Sequence, residues 1–503
     1  MKKVLVYAMA RHGFQEACQY EAALEESKLG NEVLFLYCDG ILDLCGENTS
    51  CDRTKCKFCA HGFRNRAKKY LGSSVKMIPL SNYYTDDIKN QEKAISFHYN
   101  NNDELKSLDF HGVDVGYGAL STYITWTRNL NPNFGKKEIR EYFDILLGVE
   151  IRLSLILEKV LSEFQPDLVY FHNGRFVYFK PAFRLPQLQG IPFICTETAY
   201  DINQNVYQEF IDGDIPHSMD FWTKKMNRYW NAETNIEERE RIGSLFFNNR
   251  RNAKFSGDKI YVKGQISGKL PDGFDSKIEN IVIFNSSEDE MGAIGQEVEK
   301  YSLFKSQYEG IITIAERYMN DKTKHFYLRI HPSLKNVPYD YHVNLLKLDY
   351  PNLTVIPGDS DISTYALMDA ADKVIVFGST TGAEASYWGK PVICLYFAFY
   401  YKLGCVYTPA SVDEAWKLIE TKNLEPADGK ASMKYGYFFL SSNKEKFHQL
   451  NMDASTFKFR GRKRLYPAIY KLFGSTKMAY VWDLICSVVY NKLNRGRYPQ
   501  IPV

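Results

Sequence analysis

The 503-residue chain contains no apolar run approaching the ~18 residues that a membrane-spanning helix needs. It also lacks a large charge of either sign. Against 63 Lys and Arg stand 60 Asp and Glu, for a formal net charge of +3. A dedicated nucleic-acid binder would be far more basic, so no nucleic-acid partner is expected. Internal repeats at solenoid periods and low-complexity tracts are missing too, which removes repeat arrays from consideration. The opening MKKVLVYAMARHGF has too short an apolar stretch, and no small-residue cleavage site, for a secretory leader. It reads instead as a buried first strand.

What remains is an ordinary globular balance, 45% hydrophobic and 24% charged. The length suits two α/β domains of roughly 200 residues each. With 36 Tyr and 32 Phe, the chain suits sugar stacking and an aromatic-rich core equally well.

Apolar runs alternate with helical patterns. Val4–Met9, a helix over about 13–29, then Val33–Tyr37 after a Gly30-Asn31 stop form a βαβ unit and imply a parallel sheet. The pattern returns at Asp167–Phe171 and Ile191–Cys195, and a helical segment lies near 137–164. Residues 1–215 therefore read as one open α/β domain carrying a cysteine-rich insertion at 38–62. Residues 216–275 are polar and read as a connector with one helix at about 235–252. Runs at Asn280–Phe284, His325–Ile330, Leu353–Ile356, Lys373–Phe377 and Pro391–Leu395 place a second such domain over 276–425. The expectation is two facing Rossmann-like domains. A tail over 426–503 reads as helical and basic, with ten Lys or Arg against Asp483 alone beyond Ala454. Its apolar interleaving fits an anionic membrane surface and a packed helix pair equally.

Two constellations carry chemistry. RIHP, Arg329–Pro332, closes a strand, and ligands of open α/β sheets bind at carboxyl ends of strands. Arg329 and His331 offer donors for phosphate oxygens, and Pro332 fixes the turn. The run Gly378-Ser379-Thr380-Thr381-Gly382 leads from a strand into a helix expected at about Ala383, with Glu384 in its first turn. Backbone N–H groups, hydroxyls and the helix dipole there suit a phosphate, and Glu384 suits a ribose or sugar hydroxyl. An ordinary helix cap would explain one hydroxyl but not the whole run. A third element, NSSEDE, places Ser286 and Ser287 at the same sheet edge, where capping and surface roles compete with binding.

On these residues the chain resembles a known family. RxHP followed by DSDISTYALMDAADKVIVFGSTTGAEASYWGKPVI is similar to the C-terminal half of the capsule and lipopolysaccharide biosynthesis GT-B glycosyltransferases. That family includes bacterial Kdo transferases and the CMP-sialic acid sialyl- and polysialyltransferases. The resemblance covers about residues 278–400 and implies nucleotide and phosphate binding by His331, Pro332, Ser379, Thr380 and Thr381. The first domain matches in layout only. Teichoic-acid glycerophosphotransferases and UDP-N-acetylglucosamine 2-epimerases share the pattern, so it implies a nucleotide-linked donor without naming it. The D-x-D triplets, Asp212/Asp214 and Asp359/Asp361, are too short to signal a metal, and a metal-independent mechanism is expected.

In the first domain, His12 in ARHGF and Glu197 in TET follow strands and are the candidate catalytic residues. His172, Asn173 and Arg175 of FHNGR are candidates for the acceptor side. Each of these residues reads equally as structural or substrate-positioning.

Cys38, Cys45, Cys51, Cys56 and Cys59 crowd one segment. The terminal C-x2-C has a metal bite, and Cys45, Cys51, Cys56 and Cys59 are the candidate ligands of a structural zinc or iron–sulfur site. Free thiols or disulfides in a loop are the competing reading.

The resulting expectation is a glycosyltransferase of surface polysaccharide synthesis with no catalytic cofactor. It would move a CMP-linked keto sugar such as Kdo onto a glycan or lipid-linked acceptor, in the cytoplasm and peripherally on the inner membrane. A glycerophosphotransferase, a UDP-sugar 2-epimerase and a non-catalytic assembly subunit are the alternatives.

Overall fold

A computed structural model describes residues 1–9, 13–200, 206–254, 256, 260–441, 447–448, 450–452, 457–459, 462–463, 497–498 and 500–503. Two compact units divide the chain, one of residues 1–216 with 444–503, the other of residues 217–443.

The first unit contains β1 (Lys3–Ala8), α1 (Gly13–Lys28), β2 (Glu32–Tyr37), α2 (Arg53–Leu71) and β3 (Lys76–Pro79). Helices α3 (Asp86–Ala94), α4 (Asn102–Lys106), α5 (Val115–Thr127) and α6 (Lys137–Phe164) follow. β4 (Leu168–His172), α7 (Lys180–Leu188), β5 (Phe193–Tyr200) and β6 (Val206–Asp212) complete the series. The sheet order is β3-β2-β1-β4-β5-β6, parallel except for the β5–β6 pair. The apolar runs follow from this arrangement. Strands covered on both faces read as continuous hydrophobic stretches, and five of the six residues in β1 and in β2 are buried.

The second unit opens with α8 (Met219–Ala232) and α9 (Ile236–Arg251), then β7 (Glu279–Phe284), α10 (Gln296–Glu299), α11 (Gln307–Arg317) and β8 (Lys324–Arg329). α12 (Asp340–Val343), β9 (Leu353–Ile356), α13 (Thr364–Ala370), β10 (Lys373–Phe377) and α14 (Thr381–Tyr387) come next. β11 (Val392–Tyr396), α15 (Val412–Glu420) and α16 (Ser432–Leu440) close it. Its five strands run parallel in the order β11-β10-β7-β8-β9. Each unit is a Rossmann-like α/β fold, and two such units are the parts of the GT-B plan.

In both sheets the first strand lies inside, and later strands add on either side of it. The order therefore reverses between β1 and β4 in one sheet and between β7 and β10 in the other. Crevices for ligands open at the carboxyl ends of strands at such switch points.

Three segments differ from the sequence reading. Within 216–275, α8 and α9 are packed elements of the second unit: α9 lays Phe246 against Tyr435 and Phe439 of α16. The cysteine-rich stretch 38–62 runs directly into α2, the crossover helix between β2 and β3. Asp52 caps that helix by accepting from the Thr54 and Lys55 N–H groups at 2.8 and 3.2 Å. In the tail, α16 is helical as expected. Beyond it β12 (Leu450–Met452), β13 (Phe457–Phe459) and β14 (Arg462–Lys463) instead form a small antiparallel sheet. Most of the basic tail lies outside the described residues. Among those described, no helix is long and apolar enough to cross a membrane.

Candidate active site

The switch point of the second sheet gathers the two motifs. β7 delivers Asn285, whose Oδ1 accepts the His331 N–H at 2.8 Å and so ties the end of β7 to the end of β8. Ser333 N–H donates to His331 Nδ1 at 3.3 Å, and the Ser333 hydroxyl lies 2.6 Å from the same nitrogen. A ring nitrogen that accepts a backbone N–H holds its lone pair there, so the proton sits on Nε2, where it suits a phosphate oxygen. Tyr261 meets the imidazole edge-on, with ring centroids 5.1 Å apart.

From β10 the chain turns through Gly378 at φ +77°, a left-handed conformation that glycine adopts without strain. Ser379 Oγ accepts from the Thr381 hydroxyl at 2.8 Å and from the Thr381 N–H at 3.4 Å. Tyr400 OH donates to the Ser379 carbonyl, passing so close to Gly382 that a Cβ there would collide with it. Both glycines of GSTTG thus have a geometric cause. α14 starts at Thr381 and is seven residues long, so hydroxyls and turn N–H groups, rather than a long helix dipole, make the cradle.

Two cavities open onto this cradle. One, of about 250 Å³, is walled by Arg250, Asn285, His331, Thr364, Ser379 and Glu384 among others. The second, of about 350 Å³, shares Glu290, His331, Ser379 and Thr380 with the first.

Two expected ligand contacts are otherwise engaged. Arg329 is buried, and its two terminal nitrogens donate to the Pro357 and Ser360 carbonyls, each at 3.1 Å. It braces the 357–361 turn, and burial lowers its pKa despite the nearby Asp359 and Asp361. Glu384 accepts from Arg250 Nε at 2.9 Å on one oxygen and from Tyr365 OH on the other. That carboxylate links α14 to α9 and α13 instead of facing a sugar hydroxyl alone. Arg250 was not visible in the sequence, because 134 positions separate it from its partner. Ser286 exchanges hydrogen bonds with Gln307, at 3.0 Å through its N–H and 2.9 Å through its Oγ. Ser287 Oγ donates to Asp289 at 2.8 Å.

The switch point of the first sheet carries a different set. His172 ends β4, and its Nε2 lies 3.7 Å from Glu197 Oε1 on β5. Asn173, at φ +58°, donates from Nδ2 to Glu197 Oε2 at 3.0 Å, and the Thr198 N–H donates to Oε1 at 3.1 Å. The Glu197 side chain keeps 24% exposure while His172 keeps 2%. A carboxylate held by three neighbours and open to solvent can accept a proton from a bound hydroxyl. Arg175 is buried: its Nε donates to Ser121 of α5, and its backbone N–H donates to Asn173 Oδ1 at 3.3 Å. His12 lies outside the described residues.

Among the described residues, no group of three or more His, Cys, Asp or Glu is arranged to hold a metal. Cys56 donates to the Leu42 carbonyl at 3.5 Å and accepts from Asn48 at 3.0 Å. The Cys51 thiol is pushed up to about 12, chiefly by burial, with Asp43 and Cys56 adding to the shift and Arg497 opposing it. Burial raises the Cys38 and Cys45 thiols as well, and Cys56 and Cys59 add to both shifts. The D-x-D acids are also engaged: Asp359 pairs with Lys335 at 3.3 Å and Asp361 with Lys269 at 2.7 Å. Asp214 accepts the Ile215 N–H at 2.9 Å.

No family model matches the chain, and no curated protein matches it. Among solved structures it is similar to KpsC, the beta Kdo 2,4 transferase of Thermosulfurimonas dismutans. That match has 13% identity and a TM-score of 0.34, over 53% of this chain and 78% of that one. The UDP-GlcNAc 2-epimerase of Methanocaldococcus jannaschii matches at 12% identity and 0.24, over 87% and 98%. A Streptomyces glycosyltransferase complexed with thymidine diphosphate matches at 11% and 0.21, over 88% and 96%. At these scores the reading of the site rests on its own geometry.

Proposed function

We propose that the chain is a nucleotide-sugar-dependent glycosyltransferase of surface polysaccharide synthesis. The observation that carries this reading is the convergence of Asn285, His331, Ser379, Thr380 and Thr381 on one cavity at the switch point of the second sheet. Neutral donors at that position suit the phosphate of a nucleotide-linked sugar. The His331 Nε2–H and the hydroxyls of the cradle stabilise charge on the departing phosphate as the glycosidic carbon–oxygen bond breaks. Glu197 accepts the proton of the attacking acceptor hydroxyl, oriented by Asn173 and His172.

The mechanism is metal-independent. In support, Lys335 and Lys269 already neutralise the Asp359/Asp361 pair that would otherwise suit a cation. The donor is a CMP-linked keto sugar of the Kdo class, and the acceptor a glycan or lipid-linked glycan. The work is done at the cytoplasmic face of the inner membrane, toward which the ten Lys and Arg beyond Ala454 draw the chain.

A thermal-shift and calorimetric screen with CMP, UDP, GDP and CDP in the presence of EDTA tests this. Stabilisation by CMP alone is expected. UDP alone would favour an epimerase, CDP a glycerophosphotransferase, and no stabilisation by any nucleotide would sink the enzyme reading.

A further inference from the structure

The two cavities that meet at the cradle differ in their share of aromatic rings. The first is bordered by Asn285, Thr364 and Thr381, by the bonded pair Arg250 and Glu384, and by Tyr261 beside apolar Val262 and Ile330. The second is lined by Tyr396, Phe397, Phe399, Tyr400, Tyr435 and Phe439, with Ser286, Ser287 and Glu290 among its polar residues. Four residues belong to both, Glu290, His331, Ser379 and Thr380.

A ligand with phosphate on those shared residues extends into both cavities. From this we infer that the aromatic cavity seats the glycosyl ring of the donor while the first cavity seats its nucleoside. The inference rests on the donor reading above. A heteroaromatic base and a ribose are recognised by hydrogen bonds to their edges, which the first cavity supplies. A pyranose presents one face of C–H groups to an aromatic ring and turns its hydroxyls outward, as an aromatic wall with polar residues beside it requires.

The wall is built before any ligand arrives. Tyr400 is tied by its hydroxyl to the Ser379 carbonyl, so the cradle and the wall move as one piece. Its ring meets Tyr435 edge-on at 5.9 Å, and Tyr435 packs on Phe439 at 4.7 Å. Both α16 rings lean on Phe246 of α9, each at 5.6 Å. Phe399 and Phe439 stay partly exposed, which leaves ring surface facing the cavity. At about 350 Å³ the space is ample for one sugar ring.

Calorimetry on the full chain tests the division with two bare nucleotides, CMP and UDP, and two ring-bearing probes, CMP-N-acetylneuraminate and UDP-N-acetylglucosamine. The variants are Phe399→Ala, Phe439→Leu and Tyr261→Ala. Each aromatic-wall variant is expected to weaken the ring-bearing probe of the preferred nucleotide roughly tenfold and to leave the bare nucleotide within about twofold. Tyr261→Ala is expected to weaken both alike. Equal losses for bare and ring-bearing probes in Phe399→Ala and Phe439→Leu, or no loss for either, overturn the inference alone. A wild-type chain that binds no nucleotide overturns the donor reading and this inference together.

Discussion

The carboxyl edges of the two sheets share a topology and differ in chemistry. In the second unit the cations that line the crevice are held by protein acceptors: Arg329 by the carbonyls of its own turn, and Arg250 by Glu384. Beside them the cavity is lined by hydroxyls of the cradle and the His331 imidazole. In the first unit a carboxylate stays partly exposed, steadied by Asn173 and His172. The contrast separates holding a phosphate from handling a proton. On the proposed function, one edge offers hydroxyl and N–H donors to a phosphate and the other a carboxylate steadied by its neighbours.

Three glutamates test that separation. Replacing Glu197 with Gln keeps the shape and the Asn173 contact but removes the base. Sugar transfer is expected to fall by about 10²–10⁴-fold, the range for losing a general base. Nucleotide affinity, measured by calorimetry, should stay within experimental scatter. A matching loss of nucleotide affinity, or an undiminished rate, would break the division of labour between the two edges.

Glu384→Gln probes the other edge. Its partner Arg250 is buried, with 9% of its side chain exposed, and loses the opposing charge. Removing one member of a buried pair costs about 3–5 kcal/mol, far more than the pair contributes over an apolar replacement. Urea unfolding should show that loss. Nucleotide affinity should fall as well, because α9 and α13 are joined to α14 through this carboxylate. Unchanged stability would show that Arg250 finds another acceptor.

The sequence made the second edge readable because its motifs are local. NIVIF and VIVF are continuous apolar runs, as buried parallel strands require, and RIHP and GSTTG follow strands directly. The use made of the side chains was not readable. Arg329 looked like a phosphate contact, yet its acceptors are carbonyls 28 and 31 positions on. Glu384 looked like a sugar contact, yet α9 supplies a partner that only tertiary packing brings near. Short or antiparallel strands escaped altogether: KMIP of β3 has too few residues for a pattern, and β6 pairs with β5 as an edge. The C-x2-C pair lies on α2, where an i, i+3 spacing sets both cysteines on one helix face.

The smallest expected effect concerns a glutamate that the comparison would otherwise leave out. Glu150 of α6 is fully buried beside Gly118 of α5, where the missing Cβ makes room for its carboxyl. Among the described residues neither of its oxygens has a partner. Lys180 could have served, but it binds Asp114 at 3.0 Å, as does Arg184 at 2.7 Å. Burial therefore pushes the Glu150 carboxyl well up; Lys180 opposes the shift and Asp114 adds to it. The folded chain keeps this acid protonated, whereas the unfolded chain ionises it near the ordinary value of about 4.3. The unfolded state thus binds fewer protons above that pH, so the contribution of Glu150 is present below it and lost as pH rises toward the folded pKa. Glu150→Gln removes the titration while keeping the shape. Between pH 5 and pH 6 the wild type should lose about 1 kcal/mol relative to this variant in urea unfolding. A difference that stays flat with pH would mean that Glu150 is ionised in the fold.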